Sequence, residues 1–468
     1  MKKGCAITLG LVALLVSGCA LTPDYERPEL NLPAGWERTT AEQDAIANRP
    51  WWDIYDDEVL RALIDRALDQ NRDLAIALAR LQESRYLLNF TRADQFPFLD
   101  VFGSAGRGRD SKNINPLAGT DNNFGIGADL SFEIDLWRRY SRATEAARAE
   151  LLASEFGVRN VTISLIAEVA NLYFRLQDVS ARLEISRRTV EGRAERLGII
   201  QARFDRGIEP EIDVNQAQVQ LAVAEASVTR FQRLTAQTEH ALRVVLGEFP
   251  GRVPVGPRIG FSGVPLSVPA GLPSELLKRR PDVQEAEQLL VAETAEIGVA
   301  QALRFPSLSL TSGISVVATD LTDLNSMDAG QWSLAAGIFQ PIFNSGRLKA
   351  QKKAQVARAE QAEEVYILTL LEAFREVEDA IVATETFRRE FAARTRQVRA
   401  AANTLRLSQA RYDAGVVDYL EVLDSERTFF DAELRHSQAH RSVLTSFVAL
   451  YKALGGGWDE RVLGDEIE

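Results

Sequence analysis

The chain has 468 residues, enough for about two or three ordinary domains. Its formal net charge of −12 argues against a nucleic-acid partner, because proteins that bind nucleic acids present basic surfaces. Both cysteines, Cys5 and Cys19, lie near the N-terminus. The rest of the sequence therefore has no disulfide framework, thiolate metal site or cysteine nucleophile.

The N-terminus has the features of a bacterial export signal. Two lysines precede an apolar run at residues 6–16 that is too short to cross a bilayer. The run ends in Leu-Val-Ser-Gly-Cys at residues 15–19, which resembles a lipobox, so we expect cleavage before Cys19 and attachment of lipid to that cysteine. Ala20 stands where an aspartate would signal retention in the inner membrane, which favours sorting to the outer membrane. The alternative is an ordinary signal peptide in which Cys19 occurs by chance.

The clearest strand pattern lies in the first half of the chain, where apolar and polar residues alternate almost without interruption. The apolar positions are Phe124, Ile126, Ala128, Leu130, Phe132, Ile134 and Leu136. A less regular strand is predicted at residues 99–105. Such alternation fits a half-buried soluble strand or a membrane barrel strand. Length favours the membrane, because transmembrane strands need about 9–11 residues and soluble strands average about 5–6.

Two segments without proline, residues 138–206 and 347–414, predict helices of about 70 residues, each about 100 Å long. Their apolar residues recur at alternating steps of four and three, as in a coiled-coil seam. The seam residues are Leu165, Val169, Leu172, Leu176, Val179, Leu183, Leu197, Ile200 and Phe204 in the first segment, and Ile367, Leu370, Phe374, Val377 and Ile381 in the second. Shorter helices are predicted near residues 57–93, 210–247, 275–303 and 418–454.

An internal duplication relates the two halves of the chain. Three short motifs recur in the same order at offsets of 208 to 210 residues: Ala202–Gly207 with Ala410–Gly415, Phe96-Pro97 with Phe305-Pro306, and Arg148–Glu150 with Arg358–Glu360. The alternating pattern also recurs, at residues 308–316 and 332–338. Each half is therefore predicted to contain a helix, two strands, a very long helix, a tight turn and a shorter helix. Aromatic residues near the strand ends (Phe96, Trp137, Tyr140, Phe305, Trp332 and Phe343) fit interfacial girdles.

These patterns predict six segments along the chain. They are a lipoprotein signal peptide (1–18), an N-terminal segment (19–56), a first repeat (57–248), a Pro/Gly-rich connector (249–274), a second repeat (275–455) and a C-terminal tail (456–468). Four strands cannot close a barrel, and open strand edges cannot face lipid. Several chains must then contribute strands to one barrel: two chains would give eight strands and three would give twelve.

Stacked end to end in pairs, the shorter helices match the long ones in length, which predicts a cylinder walled by helices. The alternative is a set of solvent-exposed coiled-coil hairpins. Gly207 and Gly415 are expected to cap the long helices in the left-handed conformation. Pro210 is expected to start the next helix of the first pair, and Asp418 with Glu421 has capping-box spacing in the second.

Sites for metals or for catalysis find little support in the sequence. His436 and His440 are four residues apart on one helical face, but no cysteine or third histidine lies near them in sequence, so we interpret them as a solvated pair. No phosphate-binding Gly-Lys-Ser/Thr loop is present, and no serine, histidine and carboxylate cluster stands out by spacing. We therefore predict a protein that is not an enzyme and binds no cofactor other than covalent lipid on Cys19.

Five motifs in order resemble the TolC-like outer membrane factor family, in its NodT-type lipoprotein branch. They are Trp51-Trp52 with Asn71–Leu74, Leu246-Gly247 with Pro250-Gly251, Pro269–Glu275, Arg279–Asp282 and Leu450–Trp458. The resemblance covers nearly the whole chain after the signal. It implies a mixed α and β membrane protein, in which a long-helix periplasmic α-barrel continues into an outer-membrane β-barrel that is closed by trimerisation, with four strands from each chain.

The resemblance also implies a function and its site. It implies an outer-membrane, lipid-anchored homotrimer that acts as a passive duct, docks on a periplasmic adaptor (membrane fusion) protein and is energised by an inner-membrane transporter. The glycine turns would contact the adaptor. Leu420 and Asp424 match the family's constriction, and Arg411 and Tyr412 match residues that help to hold the closed tip. A rival interpretation is a coiled-coil structural envelope lipoprotein or adaptor without a channel, for which lipid-length alternating strands would serve no purpose.

Overall fold

The computed structural model of the chain describes residues 23–31, 33, 35–36, 55, 57–109, 111, 113, 119–257 and 276–456. The predicted signal segment, Cys19, most of the N-terminal segment, most of the connector and nearly all of the C-terminal tail lie outside the described residues. No helix in the described part of the chain combines the length and the apolar character needed to cross a membrane.

Each half of the chain contributes helices, two strands, one very long helix and a final helix, in the predicted order. The first half contains α1 (Glu58–Gln70), α2 (Arg72–Ala93), β1 (Phe98–Gly108), β2 (Asp121–Ile134), α3 (Arg139–Phe204) and α4 (Glu211–Val245). The second contains α5 (Leu276–Arg279), α6 (Pro281–Ala302), β3 (Ser307–Ala318), β4 (Gly330–Phe339), α7 (Arg347–Asp413) and α8 (Tyr419–Ala453). The long helices α3 and α7 have 66 and 67 residues, which confirms the proline-free segments as single helices.

Two of the shorter predicted helices are interrupted, and the interruptions have local causes. Asn71 stops α1 because its backbone is extended, with ψ at 136°. Its side-chain Oδ1 accepts a hydrogen bond from the backbone N–H of Leu74, and its Nδ2 donates to the carbonyl oxygen of Val245. In the second half Pro281 begins α6 after the short helix α5, because proline lacks the N–H that a continuous helix would use.

The four strands form one antiparallel sheet in the order β1-β2-β3-β4. Their register brings the apolar positions of neighbouring strands to the same face. Ile134, for example, lies opposite Leu308, which lies opposite Ile338. On the other face, Ser131 lies opposite Thr311. The sheet therefore has one mainly apolar face and one mainly polar face, as the alternation predicts.

The chain divides into two compact units. The first comprises Arg80–Glu155, Glu285–Ile367 and the described part of Met1–Glu29, and it contains the whole sheet. The second comprises Phe156–Gln284 and the described parts of Leu30–Ala79 and Leu368–Glu468.

In the first unit, an extended N-terminal strap is held by ion pairs. The carboxylate of Glu287 accepts hydrogen bonds from Tyr25 Oη (3.0 Å) and from Nε and Nη2 of Arg27 (both 2.7 Å). The Arg142 side chain is only 3% exposed and pairs with Asp24 as well as with Glu145. The strap therefore supplies one of the two carboxylates that pair with the buried Arg142 charge.

The second unit is built around the predicted coiled-coil seam. Val169, Leu176 and Ile200 of α3 are fully buried, as is Val377 of α7. Phe204, the last predicted seam residue, is exposed instead, because α3 ends there. The seam therefore holds the helices together up to the turn but not through it.

A pair of glycines shows the duplication in three dimensions. Gly247 follows α4 and Gly455 follows α8, and both have φ at +74°. A Cβ atom on Gly247 would lie 2.2 Å from the carbonyl oxygen of Gln70, and one on Gly455 would lie 2.8 Å from that of Arg279. Gln70 ends α1 and Arg279 ends α5, so each glycine packs against the equivalent helix end of its own half.

We expect Gly247→Ala to lower the free energy of unfolding by about 1–3 kcal/mol, because the added methyl group overlaps the Gln70 carbonyl and the φ angle disfavours alanine. Thermal unfolding followed by circular dichroism measures this change. Gly192→Ala is the matched control, since Gly192 lies within α3 and a Cβ there meets nothing within 4 Å. It should stabilise the protein by about 0.5–1 kcal/mol. Equal effects of the two substitutions would show that the packing of Gly247 is misassigned.

Candidate functional site

Two glycine turns join the helices at the predicted site. Gly207 has φ at +72° and donates its N–H to the carbonyl oxygen of Phe204. The N–H of Ile208 donates to the carbonyl oxygen of Arg203. The second turn repeats this geometry: Gly415 has φ at +70°, and the next N–H bonds back to Arg411. Both turns are therefore left-handed glycine caps that satisfy the last carbonyl groups of the long helices, as predicted.

The starts of the following helices differ from the sequence-based expectation. Helix α4 begins at Glu211, one residue after Pro210, which is its N-cap. Asp418 is the N-cap of α8, but its side chain caps no backbone N–H, so the expected capping box with Glu421 is wrong. The Glu421 carboxylate instead accepts a hydrogen bond from Nη1 of Arg411 at 2.8 Å. The charged guanidinium competes successfully with the backbone for this carboxylate.

A shared apolar core lies beneath the two turns. It contains residues from all four helices that meet there: Ile200, Val214, Ala217, Tyr412, Tyr419, Val422 and Leu423. The rings of Tyr412 and Tyr419 have centroids 5.6 Å apart. The first hairpin (α3 and α4) and the second (α7 and α8) are thus packed together at their tips.

A polar latch joins the two hairpins above this core. Tyr412 Oη donates to Oε1 of Glu209 at 2.6 Å, and Nη1 of Arg203 lies 3.5 Å from the same oxygen. The Arg203 guanidinium also lies over the Tyr412 ring, 5.1 Å from its centroid. Burial and the neighbouring Glu209 carboxylate raise the pKa of Tyr412 to about 12, so the hydroxyl keeps its proton and remains a donor at physiological pH.

A second carboxyl group adjoins the latch. The pKa of Asp213 is raised from its ordinary value, first by burial and then by its hydrogen bond to Glu209 and the charges of Glu209 and Asp418. The carboxyl groups of Glu209, Asp213 and Asp418 therefore lie near one another. Because like charges disfavour ionisation, the local structure becomes more stable as the pH falls through the raised pKa of Asp213.

Leu420 and Asp424 lie away from this latch, on the wall of an open groove of about 950 Å³. The groove runs between the first turns of α4 and α8, and Ile212 and Gln216, the first-half equivalents of these two residues, line its other side. Leu420 and Ile212 are 63% and 61% exposed, and Asp424 is exposed. The predicted gate residues are thus brought to one face, but within the single chain that face is open.

Arg411 and Tyr412 are engaged elsewhere. Arg411 donates to Glu421 and Tyr412 donates to Glu209, and among the described residues neither is found bonded to Asp424. Within one chain they therefore hold the tips together rather than neutralise the Asp424 carboxylate.

Comparisons with known proteins agree with this geometry. The sequence pattern of the outer membrane efflux protein family matches residues 63–248 and 272–456, one segment in each half. The chain belongs to the outer membrane efflux protein family. It is similar to the cation efflux system protein CusC of Escherichia coli O157:H7, with 33% identity over 97% of the chain and 99% of CusC. It is also similar to TtgC of Pseudomonas putida, a probable efflux pump outer membrane protein, with 35% identity over 97% of the chain and 96% of TtgC.

The fold is shared with solved outer-membrane channels. The structure of the outer-membrane channel OprN matches 94% of the chain and all of OprN with a TM-score of 0.87 at 31% identity. The chain is therefore an outer-membrane efflux component with the duplicated helix-and-strand fold of that family. The family assignment and the fold class predicted from the motifs are both confirmed.

Sequence analysis of this efflux protein did not identify Glu209, which accepts the hydrogen bond of the latch. Glu209 lies in a turn, and its donor Tyr412 is 203 residues away in the chain. One signal was available: Arg203 and Glu209 flank the capping glycine, so the turn folds them onto each other.

The histidine pair is not solvated as expected. The ring of His436 stacks on the ring of Phe391, with centroids 4.8 Å apart. The ring of His440 meets the same phenyl ring with its edge, with centroids 5.7 Å apart, and His440 is buried. Among the residues that the structure describes, no group of three histidine, cysteine or acidic side chains could hold a metal ion. Aromatic packing accounts for the pair.

We expect Tyr412→Phe to weaken the latch by about 1 kcal/mol, because the ring stays in the core while Glu209 loses one donor. Hydrogen exchange of the Ile208 amide, measured by mass spectrometry, should become about fivefold faster. Tyr86→Phe, at an exposed position of α2, is the control and should change nothing near the turn. An unchanged exchange rate in Tyr412→Phe would mean that the hydrogen bond does not join the hairpins.

Proposed function

We propose that three copies of the chain close one duct that crosses the outer membrane and extends into the periplasm. The observation that supports this most directly is the sheet. Within the chain, β1 and β4 each have one neighbour, so each leaves one edge unpaired. An unpaired edge beside an apolar face is untenable in lipid, and pairing β1 of one copy with β4 of the next removes every edge.

Exposed apolar side chains beside both edge strands support the same arrangement. Helix α2, which leads into β1, exposes Tyr86, Leu87 and Phe90. Beyond β4, Ile342 and Phe343 are each 88% exposed. Apolar surface of this extent is typical of a site that another chain covers. The family resemblance favours a homotrimer, with twelve strands in the closed barrel.

The duct is proposed to work passively, as the outer-membrane part of a three-component system. A periplasmic adaptor (membrane fusion) protein would meet the tips at Gly207 and Gly415, and an inner-membrane transporter would supply energy and select cargo. The relatives are named for different tasks: CusC for cation efflux and TtgC as part of a probable efflux pump. We expect the chain to catalyse no reaction.

Lipid on Cys19 would add an anchor to the barrel. Cys19 is five positions before Asp24, which pairs with Arg142 in the first turn of α3. An extended chain of this length spans at most about 18 Å. The lipid would therefore insert close to the end of the sheet, where β2 passes into α3.

Cys19→Ala should abolish labelling of the protein by radioactive palmitate, because the acylated atoms are removed. Growing cells with the label and exposing a gel of the purified membranes measures this directly. Cys5→Ala, within the predicted signal, is the control and should leave the mature protein labelled. Label that persists on Cys19→Ala would contradict the lipobox interpretation. Membrane insertion should survive, since one acyl chain adds only marginal binding.

The gate of the duct is proposed to lie at Leu420 and Asp424. Around a threefold axis, three Asp424 carboxylates would form a ring that favours cations, and three Leu420 side chains would form an apolar constriction that closes by dewetting. The 950 Å³ groove between the hairpins supports the assignment, because it leaves both side chains uncovered within one chain.

Planar-bilayer recording tests both the duct and its gate. Purified wild-type protein should give discrete conductance steps, which a structural lipoprotein without a lumen would not give. The double substitution Leu420→Ala with Asp424→Ala should raise the single-channel conductance, and Asp424→Ala alone should lower the cation preference. Arg411→Ala should raise the open probability, because it removes the ion pair between Arg411 of α7 and Glu421 of α8.

The repeat supplies the matched control for the gate. Gln216→Ala changes the equivalent position of α4, which carries no charge, so its effect on cation preference should be much smaller. If Gln216→Ala changes conductance and selectivity while the Asp424 variants behave as wild type, the gate belongs to the first hairpin.

A further inference from the structure

A small groove in the first unit lies where the strands pass into the helices. Its volume is about 270 Å³, and its lining comes from the ends of β2 and β4, the start of β3 and the first residues of α3 and α7. Its size suits a ligand of one or two rings rather than a large one.

One wall of the groove is aromatic and rigid. The rings of Trp137 and Phe305 are stacked, with centroids 4.9 Å apart and planes 26° from parallel. The indole Nε1 of Trp137 donates to the carbonyl oxygen of Pro306 at 2.7 Å, which fixes the ring. Phe339 also lines the groove and remains largely exposed. A flat apolar ligand would find stacking partners that are already ordered.

The groove lies at the end of the sheet and takes strand residues from both faces. Glu133, Ser307 and Phe339 belong to the polar face, and Ile134 belongs to the apolar face. If the duct closes as proposed above, the apolar face meets lipid and the polar face, with three of these four strand residues, meets the interior. The location of the groove inside the duct therefore rests on the proposed function, whereas its shape and charge do not.

The two arginines that line the groove differ in their partners. Both long helices begin with an arginine that lines it, Arg139 and Arg347. Arg139 has an acidic partner six residues earlier, with Nη1 3.4 Å from Oε1 of Glu133. The residue six positions before Arg347 is Pro341.

The other acidic residue that lines the groove already accepts hydrogen bonds. Asp135 accepts hydrogen bonds from the backbone N–H groups of Tyr140 and Ser141 at the start of α3. No ion pair is found for the Arg347 guanidinium within the described part of the chain. The groove thus has an aromatic wall and one arginine, Arg347, without an ion-pair partner among the described residues, while its two arginines and two acids balance in formal charge.

We propose that this groove binds small aromatic anions, such as a one- or two-ring carboxylate. The ring would stack against Trp137, Phe305 and Phe339, and the carboxylate would accept hydrogen bonds from the Arg347 guanidinium. Binding is expected to be weak, because a duct must release what it admits. The groove would act as a resting point for amphipathic anions as they leave the helical part for the strands.

The test uses protein in nanodiscs of neutral phosphatidylcholine and two probes of similar shape. One is 2-naphthoate, an anion, and the other is 2-naphthylmethylammonium, a cation. Equilibrium dialysis should show the anion binding about tenfold more tightly than the cation. Arg347→Gln should reduce this preference to less than about twofold. Phe339→Ala should weaken the binding of both probes, since Phe339 is a surface residue and its loss removes stacking area.

Lys353→Gln is the matched control, because Lys353 is an exposed cation in the second turn of α7 that does not line the groove. It should keep the anion preference. Equal affinity for both probes in the wild-type protein, or an unchanged preference in Arg347→Gln, would overturn the proposal. So would loss of naphthoate binding in a second set of nanodiscs that contain phosphatidylglycerol, which would identify the occupant as a lipid headgroup.

The same preparations separate this proposal from the duct itself. Protein that conducts in bilayers but does not bind naphthoate would refute the groove alone. Protein that binds naphthoate with the expected charge preference but never conducts would refute the duct and leave the groove standing.

Discussion

The unpaired backbone groups along β1 and β4 impose the requirement on which the rest of the molecule depends. A strand edge in water can be hydrated, but an edge beside a lipid-facing surface needs another strand. The register aligns the apolar positions of all four strands on one face, so the sheet as a whole is suited to lipid. Closure by further copies satisfies the edges and turns the other face inward. The apolar surface beside both edges is then covered by the same contact.

In the helical part, contacts between side chains of the protein, rather than lipid, must hold the two hairpins together. Deep in the second unit, the seam on α3 and α7 provides apolar packing. At the tips the packing continues in the shared core that includes Ile200, Tyr412 and Tyr419, and the Tyr412–Glu209 hydrogen bond with Arg203 is added above it. The hydrogen bond can break and reform at a modest cost in free energy, whereas the packed core beneath it resists separation of the hairpins.

Periodicity determined which parts of this structure the sequence could predict. A period of two identified the strands, most clearly at residues 124–136, and the absence of proline with a step of three and four identified α3 and α7. Local side-chain chemistry was harder to predict. The Asn71 side chain bonds to Val245, 174 residues away, and the capping box failed because Arg411, on the preceding helix, bonds to the Glu421 carboxylate.

The candidate sites divide in the same way. Leu420 and Asp424 could be named because they match the constriction of the family that the motifs resemble, and the groove brings them together with Ile212 and Gln216. Tyr412 could be named in the same way, but Glu209 could not, because the two residues are 203 positions apart in the chain. The aromatic groove could not be named, because its lining joins residues from both halves. The histidine pair was misinterpreted because its environment is set by Phe391, 45 residues from His436 in the sequence.

The number of chains in a conducting particle tests the central claim most directly. Met327 is fully exposed, and after removal of the signal the mature chain has no free cysteine if Cys19 is acylated, so Met327→Cys gives one labelling site per chain. Fluorophore bleaching can then be counted in single liposomes that also pass a current. The account predicts a maximum of three bleaching steps per conducting particle. Conducting particles that bleach in one step at full labelling would contradict it, because one chain cannot close its own sheet.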